Sequence, residues 1–408
     1  MPERAALLRS ALAPGPGGAT ACMMGMVAAG ASGSRVAPRA GAIVLLAGGK
    51  TGGHVYPGLA LAEELEQRGL RAAWVGIEGG IEERLARAGG LEFHGLPTAP
   101  LVGRSVLQRV GALWLLLRSA WRARSLVRRT GADVVVGTGG FVSAPAVLGA
   151  WLARRPVLLL EPNAEAGVAN RLLSRFADVA AVAHEDGAEG LHCETFVAGV
   201  PVRAAFFHVG PVQSDTPRRL LVLGGSQGAR AVNSAVIDAL TRLADGGAAL
   251  EVLHQCGPEP LAAAAASYGS SFEPAGDLRF RRGGVVVELT AFVEDVPGAL
   301  ARAVLVVSRA GAITLAELCA AGRAAVLVPL ELAGGHQARN AEALERVGAA
   351  VMLRERELDA LADTVSDLLA DPERTLAMAE RARRLAHPDA ARRIADRVAS
   401  LLVRGSGR

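Results

Sequence analysis

Val304 to Asn340 reads VLVVSRAGAITLAELCAAGRAAVLVPLELAGGHQARN, and this stretch decides the fold. Val304 to Val307 is a continuous apolar run, the pattern of a parallel strand buried on both faces. It stops at Ser308-Arg309-Ala310-Gly311-Ala312, before a helical pattern begins. A strand, a turn of small residues and a helix start are thus set end to end. Small residues let a diphosphate approach the backbone, unpaired N–H groups near Thr314 can donate to it, and Arg309 can add a formal positive charge. Glu317 falls about one turn into the helix, where its carboxylate can reach paired ribose hydroxyls beyond the phosphates. Ala325 to Val328 is the next buried strand, and Pro329 to Asn340 a loop entering another helix. An ordinary βαβ crossover with a small turn is the plainer reading. A charge, small residues and a carboxylate together at the carboxyl end of a strand favour a ligand site.

The rest of the chain repeats this grammar. At 408 residues, 51% hydrophobic and 21% charged, it is long enough for two or three domains and too apolar to be disordered. Its four cysteines are scattered, without metal-ligand spacing or a disulfide framework, which points to a reducing cytosol. No apolar run reaches the length of a membrane span. The formal charge of +4 resides in residues 1–200, which carry 20 Lys and Arg against 16 Asp and Glu; the remainder balances at 24 each.

Residues 1–40, rich in Ala, Gly, Pro and Arg and with one acid, read as a disordered leader. Both a transit peptide and an over-long start assignment, with Met23, Met24 or Met26 as internal starts, remain open. Ala42 to Leu46 is then a strand, followed by the glycine-rich Ala47 to Gly58, with Pro57 expected in the first turn of a helix. Lys50-Thr51 resembles the end of a P-loop, but Val44 holds the position of that motif's first glycine, and the GxGxxG spacing of a dinucleotide fold is missing. His54 stands where the turn meets the helix, as a site residue or as a buried structural histidine.

Between Glu92 and Asp133 there is no acid, while residues 101–129 carry seven arginines interleaved with Leu107, Val110, Leu113, Trp114, Leu117 and Trp121 at near-helical spacing. Such a segment suits an anionic membrane surface; a core helix with a solvated arginine face is the other reading. No motif accompanies the charge that would point to nucleic acid. A second glycine turn, Gly137 to Pro145, and the triplet Glu161-Pro162-Asn163 follow two further strands. The domain boundary falls near Arg203, giving domains at 41–203 and 204–385, with 386–408 as a final helix. Leu220 to Leu223 then restarts the pattern with the turn Gly224 to Ala229 and Asn233 early in its helix.

Over residues 42 to 403 these pieces, in order and spacing, resemble the MurG family, the membrane-associated N-acetylglucosaminyltransferases that convert lipid I to lipid II. The motifs are Gly48 to Gly58, Gly137 to Pro145, Glu161 with Asn163, Pro201 to Arg203, Gly224 to Ala229 with Asn233, Phe292, Arg309 to Glu317, and Gln337 with Asn340. The resemblance implies the α/β GT-B fold, in which two Rossmann-like domains with parallel sheets face a cleft, the last helix returns to the first domain, and no metal or other cofactor is required. It implies that Ser226 and Arg203 contact uridine diphosphate and that the Val293 backbone reads uracil. Ala312, Ile313, Thr314, Leu315 and Ala316 would hold the phosphates, Glu317 the ribose, and Gln337 with His336 the N-acetylglucosamine hydroxyls. Thr51, Gly52, Gly53, His54 and Asn163 would lie at the reacting centre, with His54 as general base, and Gly139 and Gly140 beside the acceptor. The expected substrates are UDP-GlcNAc and lipid I, and the expected place is the cytoplasmic face of a bacterial inner membrane; a diacylglycerol glycosyltransferase, a UDP-GlcNAc 2-epimerase and a non-catalytic membrane-docked nucleotide sensor are the alternative readings. Lys50, Pro162, Val200 and Ala310 depart from the family pattern. Lys50 is the only lysine in the chain and is expected to meet the acceptor pyrophosphate, unless it is a solvated substitution.

Overall fold

The computed structural model describes residues 41–97, 106–212, 219–225, 228–331 and 335–405. The expected leader, Ser226 and the first part of the basic segment lie outside the described residues.

Two sheets organise the chain. The first has seven strands in the order Glu92–Gly95, Arg71–Gly76, Ile43–Gly48, Val134–Gly139, Val157–Glu161, Val179–Val182 and Glu194–Val197, all parallel. Its central strands are buried throughout because helices cover both faces, which is why they read as unbroken apolar runs. Strand order reverses between Ile43–Gly48 and Val134–Gly139, so the two glycine turns that follow these strands open at the point where such sheets bind ligands. The helix Gly52–Gln67 sits close to the sheet at Gly58, where a Cβ would come within 2.5 Å of the Trp74 ring. Trp74 is itself buried, and its indole N–H donates to the Gly48 carbonyl at 3.1 Å.

That helix corrects one expectation. It begins at Gly52, five residues before Pro57, so Pro57 lies inside it rather than in its first turn. A proline there has no N–H for the carbonyl four residues back, which leaves the Gly53 C=O without a helical partner at the mouth of the cleft.

The second sheet has eight strands, in the order Glu273–Gly276, Arg279–Arg282, Gly284–Thr290, Ala249–Gln255, Arg219–Leu223, Leu305–Ser308, Ala324–Leu327 and Ala350–Met352. From Gly284–Thr290 onward all pairings are parallel, and the order reverses between Arg219–Leu223 and Leu305–Ser308. The turns at Gly224 and at Arg309 to Gly311 therefore open at the second sheet's own reversal point. An antiparallel extension, Glu273–Gly276 with Arg279–Arg282, has no counterpart in the sequence reading. Its residues are largely exposed and mix charged side chains with Pro274, Ala275, Gly276 and Phe280, so it lacks the apolar run that marks the buried strands.

The final helix, Ala390–Gly405, packs on the first sheet, with Ile394, Ala395, Val398, Leu401 and Leu402 in one apolar core with Val44, Leu46 and Leu61. Arg68 fixes it by a 2.7 Å ion pair to Asp396 and a hydrogen bond to the Arg392 carbonyl. Across the cleft Ile313 joins a small apolar cluster with Ala183 and Val200, and the Ala164 N–H donates to Asn340 Oδ1 at 3.3 Å.

Candidate active site

A cleft of about 850 Å³ lies between the two sheets and is walled by both. From the first domain come Thr51, Gly52, Gly53, His54, Tyr56 and Asn163; from the second come Gln255, Arg309, Ala312 to Thr314, Glu317 and Gln337, with Arg203 at the junction. His54 and Glu317 thus face one shared space.

Helix Ala312–Ala321 starts at the carboxyl end of strand Leu305–Ser308, with Gly311 as its extended N-cap and no side-chain cap. Its first free N–H groups, on Ala312, Ile313 and Thr314, open on the cleft, where they suit an anion. Leu315 is different. Its N–H already donates to the Gly311 carbonyl at 3.0 Å, its side chain lies in the core, and Ala316 packs toward the interdomain cluster. The free N–H donors of this helix start are therefore those of Ala312 to Thr314, while Leu315 and Ala316 are turned to packing.

Arg309 lines the cleft and is also paired within its own domain. Its guanidinium lies 2.6 Å from the Glu355 carboxylate and donates to the Val328 and Pro329 carbonyls, so its charge is neutralised within its own domain. Arg203 is the cation placed to act in the cleft. It stacks over the rings of Tyr56 at 5.3 Å and Phe206 at 5.2 Å, and its buried Nε has no hydrogen-bond partner. Glu317 sits near it. Burial pushes the Glu317 carboxyl up to about 7, with the Arg203 charge pulling it back.

His54 packs against the second glycine turn. A Cβ on Gly139 would meet its Nδ1 at 2.7 Å, and one on Gly140 its ring at 3.1 Å; both glycines have positive φ. Glycine is thus required there twice over, for backbone conformation and for the approach of the imidazole. The His54 Nδ1 is buried and unpartnered. Burial lowers the pKa of the ring, while Glu161 and the Thr138 backbone raise it in part and Lys50 lowers it further. The ring is therefore neutral at pH 7, the state a general base needs.

Asn163 is held by Glu161, a buried carboxylate that accepts from the Asn163 N–H at 3.1 Å and its side-chain amide at 2.9 Å. The other Glu161 oxygen accepts from the Gly167 N–H and the Asn170 amide, both at 2.9 Å. On the opposite wall the Gln337 carbonyl oxygen accepts from the Leu330 N–H at 3.0 Å. His336, expected beside it on the sugar, turns to Glu165 of the first domain at 3.9 Å, and Arg339 pairs with the same carboxylate.

Val293 is buried between Phe292 and Glu294, which both line the cleft, and its N–H donates to Gln255 Oε1 at 3.0 Å. Lys50, Gly139 and Gly140 stand outside the cleft wall. Lys50 is exposed, adopts φ +74°, and holds its ammonium 5.4 Å over the Phe141 ring. Its N–H donates to the buried Glu82 carboxylate at 3.1 Å, which pins this left-handed residue. Gln255, Tyr56 and Arg84 line the cleft without having been singled out from the sequence. Gln255 carried a signal, since it is a polar residue ending a buried apolar strand; Tyr56 and Arg84 sit in helical patterns that give none.

Two mainly parallel sheets facing a cleft, each with glycine turns at its reversal point, define a two-domain glycosyltransferase fold. Residues 43–182 match the glycosyltransferase family 28 N-terminal domain, and residues 219–394 the C-terminal domain of the same family. Among the curated relatives is the Halorhodospira halophila UDP-N-acetylglucosamine--N-acetylmuramyl-(pentapeptide) pyrophosphoryl-undecaprenol N-acetylglucosamine transferase, 42% identical over 86% of this chain and 96% of that protein. The Anaeromyxobacter enzyme of the same name is 41% identical over 89% of this chain and 94% of its own length. Acinetobacter baumannii MurG superposes with a TM-score of 0.69 at 30% identity, covering 88% of this chain and 99% of that one. The calicheamicin glycosyltransferase CalG4, 19% identical with a TM-score of 0.59 over 89% of this chain and 99% of its own, shares the fold. The chain belongs to the MurG family of N-acetylglucosamine transferases.

Proposed function

We propose that this protein transfers N-acetylglucosamine from UDP-GlcNAc to the muramyl 4-hydroxyl of lipid I, with inversion, giving lipid II in peptidoglycan synthesis. The observation that carries the reading is the single cleft shared by His54 of the first domain and Glu317 of the second. The muramyl oxygen attacks the anomeric carbon, the bond from that carbon to the diphosphate oxygen breaks, and the 4-hydroxyl proton passes to neutral His54. Charge gathering on UDP is met by the free N–H groups of Ala312 to Thr314 and by Arg203. Glu317 takes the ribose hydroxyls, the Val293 carbonyl the uracil, and Gln337 the sugar. Asn163, fixed by Glu161, orients the reacting groups, and Thr51, Gly52 and Gly53 bring free backbone to the acceptor side beside Gly139 and Gly140. Lys50 stands at that entrance as a point charge for the acceptor pyrophosphate.

The lipid acceptor requires a membrane, and no described helix is long and apolar enough to cross one. The helix Val106–Thr130 leaves Trp114 and Trp121 each 60% exposed and Leu117 54% exposed. Arg118 and Arg124 stack on the two tryptophans. Large apolar side chains ringed by arginine suit the boundary of an anionic bilayer on its cytoplasmic face. Incubating radiolabelled UDP-GlcNAc with and without a lipid I analogue tests the whole reading. Label in a lipid product supports it; release or epimerisation of sugar without acceptor, and none with it, rejects it.

A further inference from the structure

Strand Ala249–Gln255 ends under the cleft, and its last side chain faces the side of the sheet occupied by Leu253 and Val293. A primary amide 4% exposed among such residues must find partners for both its ends. Gln255 does so by bridging two separate loops. Its Nε2 donates to the Gly225 carbonyl at 3.0 Å, and its Oε1 accepts from the Val293 N–H at 3.0 Å. The two partners fix which end of the amide is which, since a carbonyl needs a donor and an N–H an acceptor. The backbone of the same residue adds a third tie, its carbonyl accepting from the Gly224 N–H at 3.0 Å.

The next layer is tied just as fully. His254 and Cys256 turn to the other face of the sheet, where His254 lies between the Tyr268 hydroxyl at 2.8 Å and Asn233 Oδ1 at 3.1 Å. Asn233 in turn donates to the Cys256 carbonyl at 2.9 Å. The strand end is therefore tied on both faces, and Gln255 presents its amide from a fully hydrogen-bonded base.

We propose that Gln255 is a positioning residue that holds the base-reading segment at Val293 against the turn at Gly225, so that recognition of the nucleobase depends on one amide. This rests on the reading that the cleft takes a uridine diphosphate donor. With its N–H held by Gln255, Val293 presents its carbonyl to the base. A carbonyl suits the N–H edge of uracil and opposes the lone pair that cytosine carries at the same place. Loss of the bridge frees both loops and makes Val293 a poorer judge of that edge.

The test compares binding of UDP and CDP by calorimetry, which needs no acceptor and so is independent of whether lipid I is the substrate. In Gln255→Leu, UDP binding is expected to weaken roughly ten- to hundredfold, because two buried partners lose their bonds. The preference for UDP over CDP should fall at least several-fold, and the donor KM should rise more than kcat falls. Gln255→Glu keeps an acceptor for Val293 while repelling the Gly225 carbonyl. It is expected to lose UDP affinity while retaining more of the base preference than the Leu variant. It also serves where the Leu variant fails to fold, its integrity read from the melting temperature. Equal loss for UDP and CDP in both variants would reduce Gln255 to a scaffold residue, and unchanged UDP binding in either would overturn the proposal outright.

Discussion

The Glu161 carboxylate grips Asn163 twice, at the backbone N–H and at the side-chain amide 2.9 Å away, and so fixes the polar corner of the first domain that faces the second. Glu161 also supports the protonated form of His54. Glu161→Gln keeps the volume but cannot accept every one of these donors. The expected result is a kcat lower by roughly tenfold, a donor KM nearly unchanged, and a stability loss of about 1–3 kcal/mol from the unsatisfied buried groups. Steady-state kinetics with a denaturant titration checks it.

His54 is predicted to carry the proton transfer. His54→Gln should lower kcat by roughly 10²- to 10⁴-fold with UDP affinity retained. Burial holds the folded pKa below 6.5, so the basic form already dominates at neutrality. Activity limited by this group is expected to rise with pH at a point below the ordinary histidine range and then to level off. Parallel loss of UDP binding would show a structural histidine instead.

Glu317 should impose a second acid limb. With a folded pKa of about 7, it is protonated as pH falls through neutrality, and its hold on ribose hydroxyls weakens. The kcat/KM for the donor is expected to fall below pH 7 in the parent and to lose that limb in Glu317→Gln. The stability effect has the opposite sense. The native state binds more protons than the unfolded chain between pH 4.5 and 7, so the carboxylate makes folding less favourable as pH rises through that window. Allowing for partial solvent access, the Gln variant should be more stable by about 1 kcal/mol at pH 8 and equal below pH 4.5.

Lys50 separates two effects in one substitution. Lys50→Gly relieves a left-handed backbone and should stabilise the fold by about 1 kcal/mol. If the ammonium meets the acceptor diphosphate, the acceptor KM rises while the donor KM stays put. An unchanged acceptor KM would leave only the ring of Phe141 as its partner.

Membrane docking is read by co-sedimentation with vesicles. Trp114→Ala with Trp121→Ala should release the protein from anionic vesicles while donor binding in solution is retained, and added salt should weaken the parent's binding. Equal partition of parent and variant would remove this helix from the interface.

Much of this architecture was legible in the chain because buried parallel strands are short apolar runs ending in small residues, as at Val134 to Gly139 and Leu305 to Ser308. The exposed strands at Glu273–Gly276 and Arg279–Arg282 carry no such run and escaped notice. Within the site, residue type identified His54, Asn163 and Glu317, but pairing is a property of folded space. That Arg309 is paired with Glu355, 46 positions away, while Arg203 lies over two aromatic rings near Glu317, follows only from the packed chain. The same holds for Gln255, whose two partners lie 30 and 38 positions from it.

The helix Ala390–Gly405 supplies five apolar side chains to a core whose other members begin at Ala42. During synthesis the first sheet therefore emerges with a gap in its interior that the helix Ala390–Gly405, made far later, fills. A ribosome stalled anywhere between the two sheets holds an unfinished half-enzyme with a greasy slot open. Closure of that core waits until the helix Ala390–Gly405 docks beside the strand Ile43–Gly48.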